Sequence, residues 1–317
     1  MGFDFEAAVT APFRMQPGLR RLAAGAPQLT PVAPGSRHQR EKLAVMSAYA
    51  DQALLVRDGF DAAPALAALA GHAAHEHPGH FAWDGSRALA RTLGVAVEGG
   101  RVEDVAAGAF GLGDEVGRCL RALPAPWRLP GLLCLAFEED FAIVDATDST
   151  IPWLAVTLPS HWAPEEKVGR PFAQVHAPVA DNALLIAASQ RLVALVSGAD
   201  RWERFVWTIT SHPRLHAHPA RLPHERWPAG ADAETLAALA WFRTERQTFI
   251  PLPERRQAVF TIHVEVSALA QAAGTPARAA AMRDAIASMS PAVLDYRGLA
   301  PARDGLVDWL DRRAAVP

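Results

Sequence analysis

Two cysteines in 317 residues, Cys119 and Cys134, exclude a good deal. They do not form a CxxC pair, so neither a structural zinc site nor an all-cysteine iron–sulfur cluster can be built within the chain. A disulfide framework is not expected, and a reducing cytoplasm is the expected location. An excess of basic charge is also lacking: the net charge is −3, and the basic residues are scattered without interleaved aromatics, which argues against a nucleic-acid or anionic-lipid surface. No apolar run approaches the roughly 20 residues of a membrane span. The N-terminus, MGFDFEAAVT, has acids early and no apolar core, so no secretory signal is expected. Glu6 in place of Ser or Thr weakens any myristoylation motif. Missing too are G-x-S-x-G, G-x-G-x-x-G and G-x-x-x-x-G-K-[ST], so no hydrolase elbow or standard nucleotide cradle is offered.

What is present is a globular composition, 50% hydrophobic and 21% charged, enough for a sizeable core. Residues 1–34, rich in Pro, Gly and Arg, read as an extended arm. Ser36 caps a predicted helix through REKLAVMSAYADQALLV, with Leu43, Met46, Ala50 and Leu54 at helical spacing. APALAALAGHAA predicts a second helix, and VEDVAAGAF with DEVGRCLRAL a third helical pattern. Residues 1–125 therefore read as a mostly helical N-terminal region. Beyond LPAPWRLPG the texture changes to short apolar runs bounded by acids, Pro and Ser: LLCLAFEEDFAIVDA, TIPWLAVTLPS, RFVWTITS, RTERQTFIPLP and QAVFTIHVEV, all predicted strands. In the last, Phe260, Ile262, Val264 and Val266 alternate with Thr261, His263 and Glu265, which predicts a half-buried strand with one polar face. Helices are predicted over ADNALLIAASQRLVALV and DAETLAALAWF and in the tail from Pro276. The fold class expected is α+β, an antiparallel sheet core over 126–275 flanked by helices, with a helical tail over 276–317.

Three stretches carry candidate chemistry. GHAAHEHPGH holds His72, His75, His77 and His80, but Pro78-Gly79 breaks the helix and the order lacks HExxH, so a solvated helix end is the plainer reading. Glu138, Glu139 and Asp140 are adjacent; on a strand, neighbouring side chains face opposite ways and do not share a site. Ser160 reads as a capping serine. The segment LPSHWAPEEKVGRPFAQVHAPVADN concentrates Trp162, Lys167, Gly169, Arg170, His176 and Asn182. A lone histidine among apolar residues is more often a satisfied core residue than a ligand. The setting nevertheless suits an axial haem ligand, which needs one imidazole in an apolar pocket and cations for the propionates; Lys167, Arg170 and Arg204 are the candidate cations.

This segment resembles the PS-x-W … EK-x-G … IH-x-PVP signature of the haem-dependent oxidative N-demethylase family. FEEDFAIVD, RWERFVWTI and FRTERQTFIPLPERRQAVFTIHVEV resemble further blocks of that family in the same order, and FRMQPGLRRL resembles its N-terminal block. The resemblance implies a haem-binding PAS-like sheet with haem b, His176 on the iron, and Trp162, Lys167, Arg170, Trp207 and Arg243 around the cofactor. It implies oxidation of a small secondary amine such as dimethylamine with O2. Electrons would come from a partner reductase carrying FMN, a 2Fe–2S centre and NADPH, with tetrahydrofolate also on a partner. PAS domains commonly dimerise, which makes a homodimer one expectation. Arg204 and Trp207 are expected over the haem face or edge. Arg243, Glu245 and Gln247 alternate on one strand and so share a face; Arg204, Glu245 and Gln247 are the catalytic candidates. The sequence departs from the family in Val206, where Asn is usual, and in Ala180 of PVA, which leaves the substrate open. Two other readings stand beside this one: a haem or small-ligand sensor that signals through a partner, and a structural subunit that has lost haem.

Overall fold

The computed structural model describes residues 2–222 and 226–315. Eleven strands occur among them, in chain order β1 (Arg20–Arg21), β2 (Leu54–Val56), β3 (Phe81–Trp83), β4 (Arg87–Ala90), β5 (Val95–Glu98), β6 (Arg101–Asp104), β7 (Asp140–Asp145), β8 (Thr150–Ala155), β9 (Trp202–Thr210), β10 (Trp241–Leu252) and β11 (Gln257–Ala268). Seven form a central antiparallel sheet in the order β1-β9-β10-β11-β7-β8-β2, and β3 to β6 form a separate four-stranded meander. Helices flank both. The architecture is α+β.

The central sheet has two unlike faces. One carries Ala142, Leu154, Arg204, Val206, Glu245, Gln247, Phe260 and Ile262. Cross-strand register keeps these side chains on one side: Gln247 lies opposite Arg204 on β9 and Ile262 on β11, and Glu245 lies opposite Val206. This face lines a cavity. The other face packs its β7–β11 end, with Phe141, Ile143 and Val259, against N-terminal residues including Leu69, Phe81, Leu133 and Phe137. Its β9–β10 end, with Ile209 and Phe242, packs against the C-terminal helices through Met282, Ile286, Leu306 and Leu310.

Local signals explain most elements. Ser36 accepts from the Gln39 amide and starts the helix Arg37–Ala48 as expected. That helix ends at Tyr49, a separate turn of helix follows over Ala50–Ala53, and Leu54–Val56 enter β2 rather than extending the helix. VEDVAAGAF is not helical: its first residues lie in β6, so the region before residue 122 holds a four-stranded sheet as well as helices. LLCLA is the end of the helix Arg128–Ala136, and only the FAIVD half of that predicted strand is β. A short apolar run of this kind is compatible with either state, and burial of Leu132, Leu133 and Leu135 on all sides decided it. The predicted helix over ADNALLIAASQRLVALV is broken at Ala188 into Ala183–Ala187 and Ser189–Val196.

The polar face expected on β11 is largely not solvated, Glu265 at its end being the exposed member. Thr261 and His263 are buried, and so are Thr248 and Arg246 beside them on β10. The N-terminal arm covers them. Gln28 donates to Thr248 Oγ1 at 3.0 Å and to the Phe249 carbonyl at 2.9 Å. Arg246 pairs with Glu203 at 3.1 Å and donates to the Pro27 carbonyl. The alternation along the strand is as the sequence predicts; what lies against its polar side is not.

Candidate functional site

The histidine-rich stretch folds as structure. His77 and His80 each place Nε2 2.8 Å from a backbone carbonyl, of Leu29 and Ala136, and both rings lie against Phe137. Just before them Glu76 accepts the Gln28 and Leu29 amides. The stretch fastens the N-terminal arm to the end of the helix Ala63–Glu76. His72 lies 3.4 Å from Glu76, and His75 is exposed.

The chemistry concentrates instead in a cavity of about 670 Å3 on the front face of the sheet, a size usual for small-molecule and cofactor sites. Its roof is the segment 160–185, and its rim includes Phe13, Tyr296 and Arg297. The floor is apolar, with Ala142, Val144, Leu154, Phe249, Phe260 and Ile262.

His176 ends the short helix Phe172–Val175, and its position is fixed locally. Gly169, at φ +72°, makes the turn that returns the chain toward β8, where its amide donates to the Ile151 carbonyl at 2.8 Å; a side chain there would be strained. Lys167 donates to the Val175 carbonyl at 3.1 Å, and the Asn182 amide donates to the carbonyls of His176 and Ala177. The imidazole packs against Phe172 in a tilted arrangement with centroids 4.1 Å apart, and its Nδ1 lies 2.8 Å from the Phe172 carbonyl. That contact makes Nδ1 the protonated nitrogen and leaves the lone pair on Nε2. Burial, reinforced by the charges of Arg204 and Lys167, pushes the His176 pKa down to about 4. The ring is therefore neutral at physiological pH, the state a metal requires of it.

This shift has a consequence for stability. The unfolded chain takes up a proton at this residue near 6.5 and the folded chain only near 4. Stability from His176 is thus complete above the unfolded value and is lost as pH falls from 6.5 toward 4, by at most about 3 kcal/mol. In apoprotein, His176→Gln is expected to flatten the dependence of urea-unfolding free energy on pH over that interval. An unchanged slope would show that the imidazole is not held neutral by the fold.

Among the polar residues, Arg204 is largely withdrawn from solvent, and its Nε is buried with no hydrogen-bond partner among the described residues. Burial lowers its pKa, and the neighbouring Glu245 opposes that. Glu245 accepts from the Ser160 hydroxyl through Oε1 and from Gln247 Nε2 through Oε2 at 2.5 Å. Ser160 in turn accepts from Arg243 Nε at 2.8 Å. Arg243 is 1% exposed. Its other nitrogens donate to the carbonyls of Leu158, Pro159, Arg214 and Leu215, at 2.7 to 3.4 Å. The guanidinium is committed to clamping two loops and positions Ser160.

The sequence-predicted residues thus separate. His176, Trp162, Arg204, Glu245 and Gln247 line one cavity. Lys167 also lines it, but its ammonium caps a backbone carbonyl. Arg170 is exposed and away from the cavity. Trp207 reaches only the rim. Three residues from Arg204 on a strand, it points to the opposite face, where its indole donates to the Ala8 carbonyl and its ring meets Phe13 and Phe242. Ser160 is no simple cap but a member of the carboxylate network.

Tyr296 and Arg297 carry no motif and come from the far end of the chain. Burial holds Arg297 down to about 10, and its guanidinium donates to the Trp207 carbonyl at 2.6 Å and lies over Phe13. Nothing in the sequence connects residue 297 to residue 176.

One neutral imidazole, a buried guanidinium nitrogen without a hydrogen-bond partner among the described residues and an apolar floor match what a haem needs: an axial nitrogen, a partner for an anionic propionate, and a dry pocket. The family model described as haem-dependent oxidative N-demethylase, alpha subunit-like, matches residues 113–307. That span contains β7 to β11, the roof segment with His176, and the Tyr296–Arg297 rim. The chain belongs to the haem-dependent oxidative N-demethylase alpha subunit-like family.

Proposed function

We propose that this chain is the haem-carrying oxidase subunit for a small secondary amine of the dimethylamine kind, using O2 and electrons from a partner reductase. The observation that carries the reading is the coexistence, in one cavity, of a ligand-ready imidazole at His176 and a half-buried carboxylate at Glu245 held by neutral donors. The haem, of b type, supplies the one-electron and O2 chemistry when bound. His176 offers Nε2 to the iron, and Arg204 meets a propionate.

The remaining steps belong to protein groups. A dialkylamine reaches the cavity as an ammonium ion. Glu245, oriented by Ser160 and Gln247, attracts the ammonium and accepts its proton, delivering the neutral amine that oxidation requires. Gln247 and Ser160 hold the carboxylate in place through this transfer, and Arg243 holds Ser160. The apolar floor excludes water and strengthens these interactions. A gas sensor needs no carboxylate of this kind, which favours catalysis over sensing.

Both cysteines are buried, and burial pushes the Cys134 thiol up to about 12. A four-cysteine cluster has too few ligands in this chain, so we place the 2Fe–2S centre, FMN and NADPH site on partner subunits, in the cytoplasm. No helix among the described residues is long and apolar enough to cross a membrane.

Glu245→Gln tests the amine role. It keeps the shape and removes the charge, and it is expected to weaken the amine-induced change in the haem spectrum at least about tenfold. Amine binding unchanged in this variant would rule out Glu245 as the ammonium partner.

A further inference from the structure

Behind the central sheet, on the face away from the cavity, two histidines and a carboxylate from three elements converge. His38 comes from the helix Arg37–Ala48, Glu138 from the bend before β7, and His263 from β11. One ligand atom from each lies within 4.8 Å of the others. His263 Nε2 is 2.9 Å from Glu138 Oε2, and His38 Nδ1 is 3.6 Å from Glu138 Oε1. All three side chains are largely buried, with exposures of 12% (His38), 16% (Glu138) and 7% (His263).

We propose that His38, Glu138 and His263 form a second metal site, for a divalent first-row transition ion of which Zn2+ is the simplest. The donor set is two imidazoles and one carboxylate, a combination such ions favour. Donors around tetrahedral Zn2+ stand about 3.4 Å apart, so the present spacing closes on an ion with small side-chain rotations.

The surroundings fix each ligand as a ligand. His38 Nε2 lies 2.8 Å from the Val264 carbonyl, which makes Nε2 the protonated nitrogen and turns the Nδ1 lone pair toward Glu138. His263 Nδ1 faces Glu139, whose Oε1 is 4.0 Å away. Glu139 is 1% exposed, and that oxygen has no hydrogen-bond partner among the described residues. A buried carboxylate oxygen without a donor is costly. It is relieved when His263 turns its Nδ1–H to it and commits Nε2 to an ion, the carboxylate–histidine–metal arrangement common behind metal ligands. The nearest ammonium, Lys42, is already neutralised by Asp140 at 3.0 Å and donates to the Glu139 carbonyl.

The placement gives the ion a task. Glu138 and His263 lie within the family-matched span, and His38 lies before it. A bound ion ties the N-terminal helix to β7 and β11, the two strands whose other faces floor the cavity. The site is structural, and it is independent of the haem reading.

The experiment is metal analysis of the full-length protein after chelator treatment and re-addition of Zn2+, with iron counted separately. A competing chromophoric chelator gives the affinity. The expected result is one Zn2+ per chain, a raised melting temperature, and affinity lowered at least about tenfold in Glu138→Gln and further in His38→Ala/His263→Ala. His72→Gln/His75→Gln, at the other histidine cluster, is expected to leave binding unchanged. Circular dichroism reports whether each variant folds. Wild-type protein that retains no stoichiometric Zn2+ overturns the proposal whatever the variants do. So does Zn2+ lost with His72 and His75 but kept in Glu138→Gln.

Discussion

Replacing His176 with alanine is expected to abolish the Soret band of protein produced with ample haem precursor, lowering the haem-to-protein ratio at least about tenfold while leaving the circular dichroism unchanged. The expectation follows from how little else His176 does. Its ring makes one hydrogen bond, to a carbonyl four residues back in its own turn. The backbone around it is held by Gly169, Lys167 and Asn182, none of which depends on the imidazole. The loss is therefore a loss of ligand and not of fold. His176→Gly with added imidazole is expected to restore the band. His161 is the informative control, because it lines the same cavity with a backbone at φ +61°. A Soret band that survives His176→Ala and disappears in His161→Ala would move the iron to the other side of the roof.

Arg243→Met is expected to be the most destabilising single change among the cavity residues, by about 3–5 kcal/mol, the usual consequence of removing one member of a buried, hydrogen-bonded charged network. The four carbonyls of Leu158, Pro159, Arg214 and Leu215 lose donors at once, and three of those bonds, to Leu158, Pro159 and Leu215, are buried. The Ser160 hydroxyl loses its donor too, and with it the Glu245 carboxylate loses the group that orients it. For a chain of this size the melting temperature is expected to fall by about 10 °C. Arg243→Lys recovers little, because one ammonium cannot reach acceptors on both loops. Calorimetry on the two variants decides the matter: a melting temperature within about 2 °C of wild type would mean that the loops are held by something other than this guanidinium.

These two residues illustrate how far sequence reading reaches. Alternation along RTERQ puts Arg243, Glu245 and Gln247 on one face, and the structure has them there, but alternation says nothing about what an arginine touches. Arg243 was expected around the cofactor from the resemblance and from the face it shares with Glu245 and Gln247; it is buried among carbonyls because two loops, 158–161 and 214–217, cross it. Trp207 was expected with Arg204 on the strength of a motif, although the same alternation rule separates residues three apart. The polar side of β11 was expected as one face of a half-buried strand, and the pattern shows which side chains share a face and not that the arm covers Thr261 and His263. Glu138 and Glu139 were expected to diverge as strand neighbours. They lie in the bend before β7, and both approach His263.

The sequence by itself determined the elements whose signals are local: the Ser36 cap, the period-two strands β9 to β11, and the four ordered blocks that carry the family. It also excluded a four-cysteine cluster outright, because counting ligands needs no coordinates. Only the tertiary structure decided that Arg297 borders the cavity holding His176, that the arm at residues 22–32 seals the back of the sheet, and that His38 meets His263. Each of these joins residues more than a hundred positions apart. Such contacts are set by the burial of whole faces, and no window of sequence contains both partners.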